Sequence, residues 1–119
     1  PLVCITMYLM EDVATQLRNG SLELAVLALL DAAPRYGVEI VEDLGLRPGL
    51  EAAAGTIYPL LTRLKNSGLV DTQWRESPVG PPRKYYSLTH TGRDQLSVQR
   101  DAWIKLSTAI AKLLKEVER

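Results

Sequence analysis

The spacing of apolar residues changes twice along this chain of 119 residues, and no other feature of the sequence constrains the fold as strongly. In the first half, apolar residues recur every three to four positions, which is typical of helices that bury one face. This spacing predicts three helices, at Ser21–Asp31, Tyr36–Leu44 and Gly55–Ser67. The apolar stripe of the second helix consists of Val38, Ile40, Val41 and Leu44. The apolar stripe of the third helix consists of Ile57, Leu60, Leu61 and Leu64.

After the third helix, the pattern becomes that of strands. Leu69–Glu76 and Arg83–Leu88 hold β-branched and aromatic residues and flank a tip rich in Pro and Gly at Ser77–Pro82. Two such segments on either side of a turn predict a β-hairpin. From Gly92 onward the helical spacing returns and predicts one helix of roughly 25 residues, or about 38 Å.

This order of elements predicts an α+β fold that is mostly α, a winged helix-turn-helix with a long C-terminal dimerisation helix. In such a fold the third helix can enter the major groove of DNA, with the hairpin beside it. We divide the chain into an N-terminal extension or helix that contributes to the dimer (residues 1–19), a winged helix-turn-helix DNA-binding domain (20–90) and a C-terminal dimerisation helix (91–119).

The formal net charge of the whole chain is zero, but positive charge is concentrated in one third of it. Residues 1–55 carry three basic and eight acidic side chains, a net charge of −5. Residues 56–93 carry six basic and two acidic side chains, a net charge of +4. A surface that faces phosphates requires such a local excess, although a solvated basic face would have the same composition.

The third helix and the hairpin carry the candidate DNA contacts. Helix N-termini favour phosphate, and Arg63, two turns after Thr56, could reach a guanine edge or a phosphate. Taken singly, a half-buried Tyr58 and an ordinary surface Arg63 are equally open interpretations. Two adjacent cations follow the stiff tip and can grip the DNA backbone or minor groove. The DNA-binding residues predicted on these two elements are Thr56, Tyr58, Arg63, Lys65, Arg83 and Lys84.

The last helix has an apolar stripe with alternating spacings of three and four, the pattern by which helices pair. Its members are Trp103, Leu106, Ile110, Leu113 and Val117, and Leu96 would extend it. Because an exposed stripe is unfavourable, this pattern predicts a symmetric homodimer. Trp103 is either a large apolar residue of the dimer interface or the wall of a flat cavity for a small aromatic, even cationic, effector.

The sequence contains no set of residues that predicts an enzyme, a cofactor or a metal site. His90 is the only histidine and lies beside the hairpin, where a capping or surface role is expected. Cys4 is the only cysteine, which excludes an intrachain disulfide or a cysteine zinc site and suits a reducing cytoplasm. No apolar run approaches the roughly 20 residues of a membrane span, so no membrane partner is expected.

Several motifs resemble those of one family. Residues 55–64 are GTIYPLLTRL, residues 67–70 are SGLV, and residues 80–89 are GPPRKYYSLT, followed by TGR at 91–93. Together with Leu22–Leu30 and Tyr36–Ile40, these motifs are similar to the PadR family of bacterial transcriptional regulators. The resemblance covers about residues 18–93 in motif and the rest in layout, and the single C-terminal helix resembles the smaller branch of the family.

This resemblance implies a dimeric, ligand-responsive repressor in the bacterial cytoplasm, associated with the nucleoid. Such repressors often govern their own gene and neighbouring transport or detoxification genes. The resemblance adds Tyr36 to the DNA-binding residues and implies that the stretch around Tyr8–Leu17 packs on the partner's last helix. Trp103 is at what looks like the tryptophan position of multidrug-sensing relatives. Val38 is a departure from the family pattern, since many relatives carry a second aromatic residue at this position.

Two other interpretations stay open. A winged-helix protein–protein interaction module without direct DNA binding has no need of two cations at Arg83 and Lys84 beside a helix that carries Arg63. A DNA-binding protein without a ligand would show no response of Trp103 fluorescence to aromatic compounds.

Overall fold

A computed structural model describes residues 20–117. The elements in this range are α1 (Leu22–Ala32), β1 (Arg35–Tyr36), α2 (Gly37–Gly45), α3 (Ala54–Asn66), β2 (Val70–Arg75), β3 (Arg83–Leu88) and α4 (His90–Val117). The arrangement is mostly helical with one small antiparallel sheet and a long C-terminal helix, which confirms the predicted fold class. The predicted packing of the stretch around Tyr8–Leu17 falls outside the described residues.

The core lies where α1, α2 and α3 meet the inner face of the hairpin. The predicted stripe of α3 is fully confirmed, because Ile57, Leu60, Leu61 and Leu64 are all buried. Val70, Tyr86 and Leu88 close the core from the sheet side. Burying one such large side chain stabilises a fold by about 1.5–3 kcal/mol, so the apolar stripes of the sequence supply most of the driving force.

The three strands form an antiparallel sheet in the order β1-β3-β2. The hairpin pairs Val70 with Leu88 at its base and Arg75 with Arg83 near its tip. Strand β1 was not among the predicted elements, because a strand of two residues leaves no alternating pattern in the sequence. Arg35 holds this strand in place through an ion pair with Asp43 and a hydrogen bond that it donates to the Leu29 carbonyl oxygen at 3.2 Å.

Helix α2 differs from its predicted pattern at one position. Ile40 and Leu44 are buried as expected and Val41 is half-buried, but Val38 is 51% exposed. The predicted burial of Val38 is therefore wrong. The buried face of α2 includes Gly37, and the next residue along a helix lies about 100° around the axis from it.

Helix α4 begins two residues earlier than predicted. Thr89 precedes it and accepts a hydrogen bond from the Gly92 N–H at 2.9 Å, while its own hydroxyl donates to the Gly68 carbonyl oxygen at 2.7 Å. This cap joins the start of α4 to the turn that leads into β2. Leu96, which was expected to extend the exposed stripe, instead packs against the core of its own chain.

Candidate nucleic-acid interface

One face of the hairpin carries two arginines held against tyrosine rings. The Arg75 guanidinium lies 4.6 Å from the ring centroid of Tyr85, and the Arg83 guanidinium lies 4.5 Å from that of Tyr36. The two rings meet edge to face with their centroids 5.4 Å apart. Each cation–π contact stabilises by about 0.5–1 kcal/mol at an exposed site.

These contacts matter because Arg75 and Arg83 are direct partners across the hairpin. Like charges in that position destabilise a sheet. Stacking each guanidinium on a different ring keeps the pair in place, and among residues 20–117 no acidic side chain forms an ion pair with either arginine. The hairpin therefore presents a fixed concentration of positive charge, which an anion would stabilise further.

The other face of the hairpin packs on the core at its base and is exposed toward the tip. Because side chains alternate along a strand, Tyr86 and Lys84 of β3 share this face with Trp74 of β2. The Lys84 ammonium lies 5.8 Å from the ring centroid of Tyr86. Burial, and secondarily the nearby Tyr58, raises the pKa of the Tyr86 phenol, so this group stays neutral at physiological pH.

A shallow cleft separates this part of the hairpin from the N-terminal end of α2 and from α3. Its volume is about 240 Å³, and it is lined by Tyr36, Gly37, Val38, Tyr58, Trp74, Arg83, Lys84 and Tyr86. We call this feature the wing cleft. The structure thus brings four of the predicted DNA-binding residues into one place, namely Tyr36, Tyr58, Arg83 and Lys84.

The side chains of α3 divide between two flanks of its exposed face. Tyr58 and Lys65, seven residues apart, lie on the flank toward the hairpin by helical geometry. Thr56 and Arg63 lie on the opposite flank, where both border a shallow pocket against Leu22 of α1. The expectation that Thr56 and Arg63 share a face therefore holds, but that face is turned toward α1 and away from Arg83 and Lys84.

Arg63 also has a partner within the chain that the sequence did not reveal. Its guanidinium pairs with the Glu23 carboxylate of α1 at 3.4 Å, and the same carboxylate accepts a hydrogen bond from the Gln99 amide of α4. Glu23 therefore connects α3 with α4.

Two residues of the hairpin, Trp74 and Arg75, were not among the predicted DNA-binding residues. Alternation along the strands could have indicated them, since a residue directly opposite Lys84 or Arg83 lies on the same face of the hairpin. The sequence did not give the register that pairs these residues, because the register depends on how the six-residue tip closes.

Comparison with known proteins identifies the fold and the function class. Residues 26–98 match the sequence model of the Transcriptional regulator PadR-like family. The chain belongs to this family. Its members are transcriptional regulators and not enzymes, and they bind DNA.

Solved structures agree with this membership. The chain is 32% identical to a PadR family transcriptional regulator from Eggerthella lenta, with a TM-score of 0.83 over 93% of this chain and 96% of that chain. It is 40% identical to a PadR-like transcription factor from Bacteroides fragilis, with a TM-score of 0.69 over 86% and 98% of the two chains. A PadR-like regulator from Bacillus cereus is 33% identical, with a TM-score of 0.77 over 83% and 96%.

In this PadR-like regulator the predicted stripe of α4 is exposed along its whole length. Its members are Trp103, Leu106, Ile110, Leu113 and Val117, and Leu114 widens it. Trp103 is 47% exposed and lines a pocket of about 470 Å³ between α4 and the start of α1. Glu23, Arg63 and Gln99 line the same pocket, so Trp103 lies near the residue that connects α4 with α3.

Two structural features are absent from residues 20–117 of this regulator. Within that range, no group of three or more His, Cys, Asp or Glu side chains lies close enough together to hold a metal ion. None of the helices in the same range is long and apolar enough to span a membrane.

Proposed function

We propose that this PadR-like regulator is a ligand-responsive repressor that binds an operator in double-stranded DNA as a homodimer. The observation that carries the proposal is the wing cleft, where cations stacked on tyrosines lie beside the exposed face of α3. The proposed DNA-binding residues are Tyr36, Thr56, Tyr58, Arg63, Lys65, Arg83 and Lys84.

The two flanks of α3 suggest how these contacts are shared. A recognition helix in the major groove faces a different DNA strand on each side. Tyr58 and Lys65 would follow the strand that the hairpin grips, while Thr56 and Arg63 would face the other. In this proposal residues 20–90 form the DNA-binding domain and residues 91–119 the dimerisation helix.

The homodimer is supported by the exposed stripe of α4. Soluble proteins seldom leave a continuous apolar surface of this kind in water, and a second copy of the same helix would cover it. The dimer would present two copies of the wing cleft, with half-sites separated by about one turn of DNA.

The effector part of the proposal rests on the pocket beside Trp103. An exposed indole beside the polar side chains of Glu23, Arg63 and Gln99 suits a flat aromatic compound with polar groups at its edge. Such a compound would bias α4 relative to α3, because Glu23 contacts both. We propose that the regulated genes are its own gene or neighbouring transport and detoxification genes, and that it acts in the bacterial cytoplasm at the nucleoid.

The test is fluorescence anisotropy with a labelled fragment from upstream of the regulator's own gene, titrated against salt and competitor DNA. We expect tight, competitor-resistant binding that weakens steeply with salt. In the double variant Arg83→Ala/Lys84→Ala, the slope of log K against log salt should become less negative by about 0.9 for each phosphate that the protein no longer neutralises.

A matched control removes two positive charges from α4, in Lys105→Ala/Lys112→Ala, where both side chains are exposed. This control should bind within about twofold of the unmodified protein, since it lies outside the proposed interface. If both double variants lost the same affinity, the loss would reflect the net charge of the protein and not a contact of Arg83 and Lys84 with DNA. Binding no tighter than to random DNA would favour a protein–protein interaction module, or an operator elsewhere.

A further inference from the structure

Trp74 is the largest apolar side chain of the hairpin, and it is 67% exposed. Tryptophan is on average highly buried in folded proteins, so a ring left mostly in water at a fixed position calls for an explanation. Trp74 does not belong to the core, because burial decreases along β2 on this face: Val70 is buried, Thr72 is half-buried, and Trp74 is exposed.

The position of Trp74 is defined from both sides. Across the hairpin it pairs with Lys84, and along β2 it precedes Arg75. Across the wing cleft it is accompanied by Tyr36 and Tyr58. Trp74 is thus an aromatic wall of a cleft whose rim is cationic.

This combination restricts what can occupy the cleft. The cations favour an anion, whereas the aromatic wall favours an apolar, flat-sided group, and the indole N–H can donate but not accept a hydrogen bond. A sugar-phosphate strand has all three matching features, because each deoxyribose lies between two phosphates. Charge complementarity therefore selects a nucleic-acid backbone over an apolar peptide.

We propose that Trp74 is a DNA-contacting residue of the hairpin. Its ring packs on a deoxyribose of the strand whose phosphates Arg83 and Lys84 neutralise, and its indole N–H donates to one of those phosphates. This inference rests on the proposed function and adds to it a positioning residue that carries no charge. Contacts to the backbone fix the position of a protein on DNA without reading its sequence.

The first experiment observes Trp74 directly. The chain has two tryptophans, so protein labelled with 5-fluorotryptophan gives two ¹⁹F resonances, and Trp74→Phe identifies the one from Trp74. On saturation with the operator fragment, the Trp74 resonance should shift and lose its H₂O/D₂O isotope shift as the ring leaves water. Saturated DNA binding with an unchanged Trp74 resonance would overturn this inference and leave the proposed function standing, whereas absence of DNA binding would overturn both.

The second experiment separates Trp74 from its charged neighbours. Trp74→Ala should weaken operator binding about tenfold per protomer, as expected for removal of a charge-assisted hydrogen bond, without changing the salt slope. The same factor should apply to a scrambled operator, because the contact is to the backbone. Trp74→Phe, which keeps a ring but no donor, should weaken binding less.

Val79 provides the matched control, since it is an exposed apolar residue of the same hairpin outside the wing cleft. Val79→Ala should bind within about twofold of the unmodified protein. Thermal unfolding should be nearly unchanged in all three variants, because truncating an exposed side chain costs little stability. Operator binding by Trp74→Ala that equals that of Val79→Ala would contradict the proposal.

Discussion

At the scale of single residues, two glycines are required by what lies against them and not by their backbone angles. A Cβ at Gly92 would overlap the carbonyl oxygen of Leu69, which also accepts hydrogen bonds from Thr89. A Cβ at Gly37 would lie 2.8 Å from the Tyr58 hydroxyl and nearer still to its ring. The first neighbour is rigid backbone and the second is the end of a side chain, so the two positions should respond differently to the same substitution.

Gly92→Ala should destabilise the fold. Overpacking against a fixed group costs about 1–3 kcal/mol, which exceeds the gain of about 1 kcal/mol that alanine brings to a helix. We expect the thermal midpoint to fall by several degrees, measured by circular dichroism. Gly45→Ala is the control, because a Cβ there meets no atom of the described part of the chain within 4 Å, and it should leave the midpoint unchanged or raise it. Equal midpoints for the two variants would mean that α4 shifts freely away from Leu69.

Gly37→Ala should affect DNA binding more than stability. The half-exposed Tyr58 ring can swing outward, which limits the loss of stability but moves the ring within the wing cleft. We expect operator affinity to fall several-fold while the thermal midpoint changes little. Anisotropy and thermal unfolding of the same sample check this, and an unchanged affinity would argue against Tyr58 as a DNA contact.

At the scale of elements, the contact between α1 and α3 gives the exposed Arg63 guanidinium an acidic partner, Glu23. Glu23 pairs with Arg63 and accepts a hydrogen bond from Gln99, so the acid competes with phosphate for this guanidinium. An ion pair this exposed adds little to stability. Its main consequence is electrostatic, because it lowers the positive charge that α3 offers on that flank.

Glu23→Gln should therefore strengthen DNA binding. Releasing Arg63 lets it neutralise one phosphate per protomer, which raises affinity a few-fold and steepens the salt slope by about 0.9 per protomer. The control is Asp31→Asn, which removes one acid from the ion pair with Arg93, away from α3. If both variants gained the same affinity, the effect would be one of net charge and Arg63 would not be a DNA contact.

At the scale of the whole molecule, the proposed homodimer rests on the exposed stripe of α4. Ile110 lies in the middle of the stripe and is 47% exposed, while Ile104 is 54% exposed but lies about 100° around the helix from Trp103. The two residues have the same chemistry and similar exposure. Comparing substitutions at both therefore tests whether dimerisation depends on the stripe itself or on any exposed isoleucine of α4.

Ile110→Glu should convert the proposed homodimer into a monomer. An unpaired carboxylate in an apolar interface is costly, and we expect the dimer dissociation constant to rise by roughly two orders of magnitude. Sedimentation velocity across a concentration series measures it. Ile104→Glu should remain dimeric, and a monomeric unmodified protein would remove the basis for the proposed dimer altogether.

The sequence by itself determined the features that depend on local spacing. Period and turn composition predicted the three helices, the hairpin and the long last helix, because each is specified by residues close together in the chain. The same spacing predicted the stripe on α4, and the Pro- and Gly-rich tip placed Arg83 and Lys84 at the start of the second strand of the hairpin. The motif resemblance predicted the family.

Only the tertiary structure decided which of these surfaces meet. The burial of Gly37 in place of Val38 depends on Tyr58, twenty-one residues further along the chain. The direction of Arg63 depends on Glu23, and the exposure of Trp74 depends on where the hairpin leaves the core. Each of these follows from packing between distant segments, and the period of a single helix or strand contains no information about its partner.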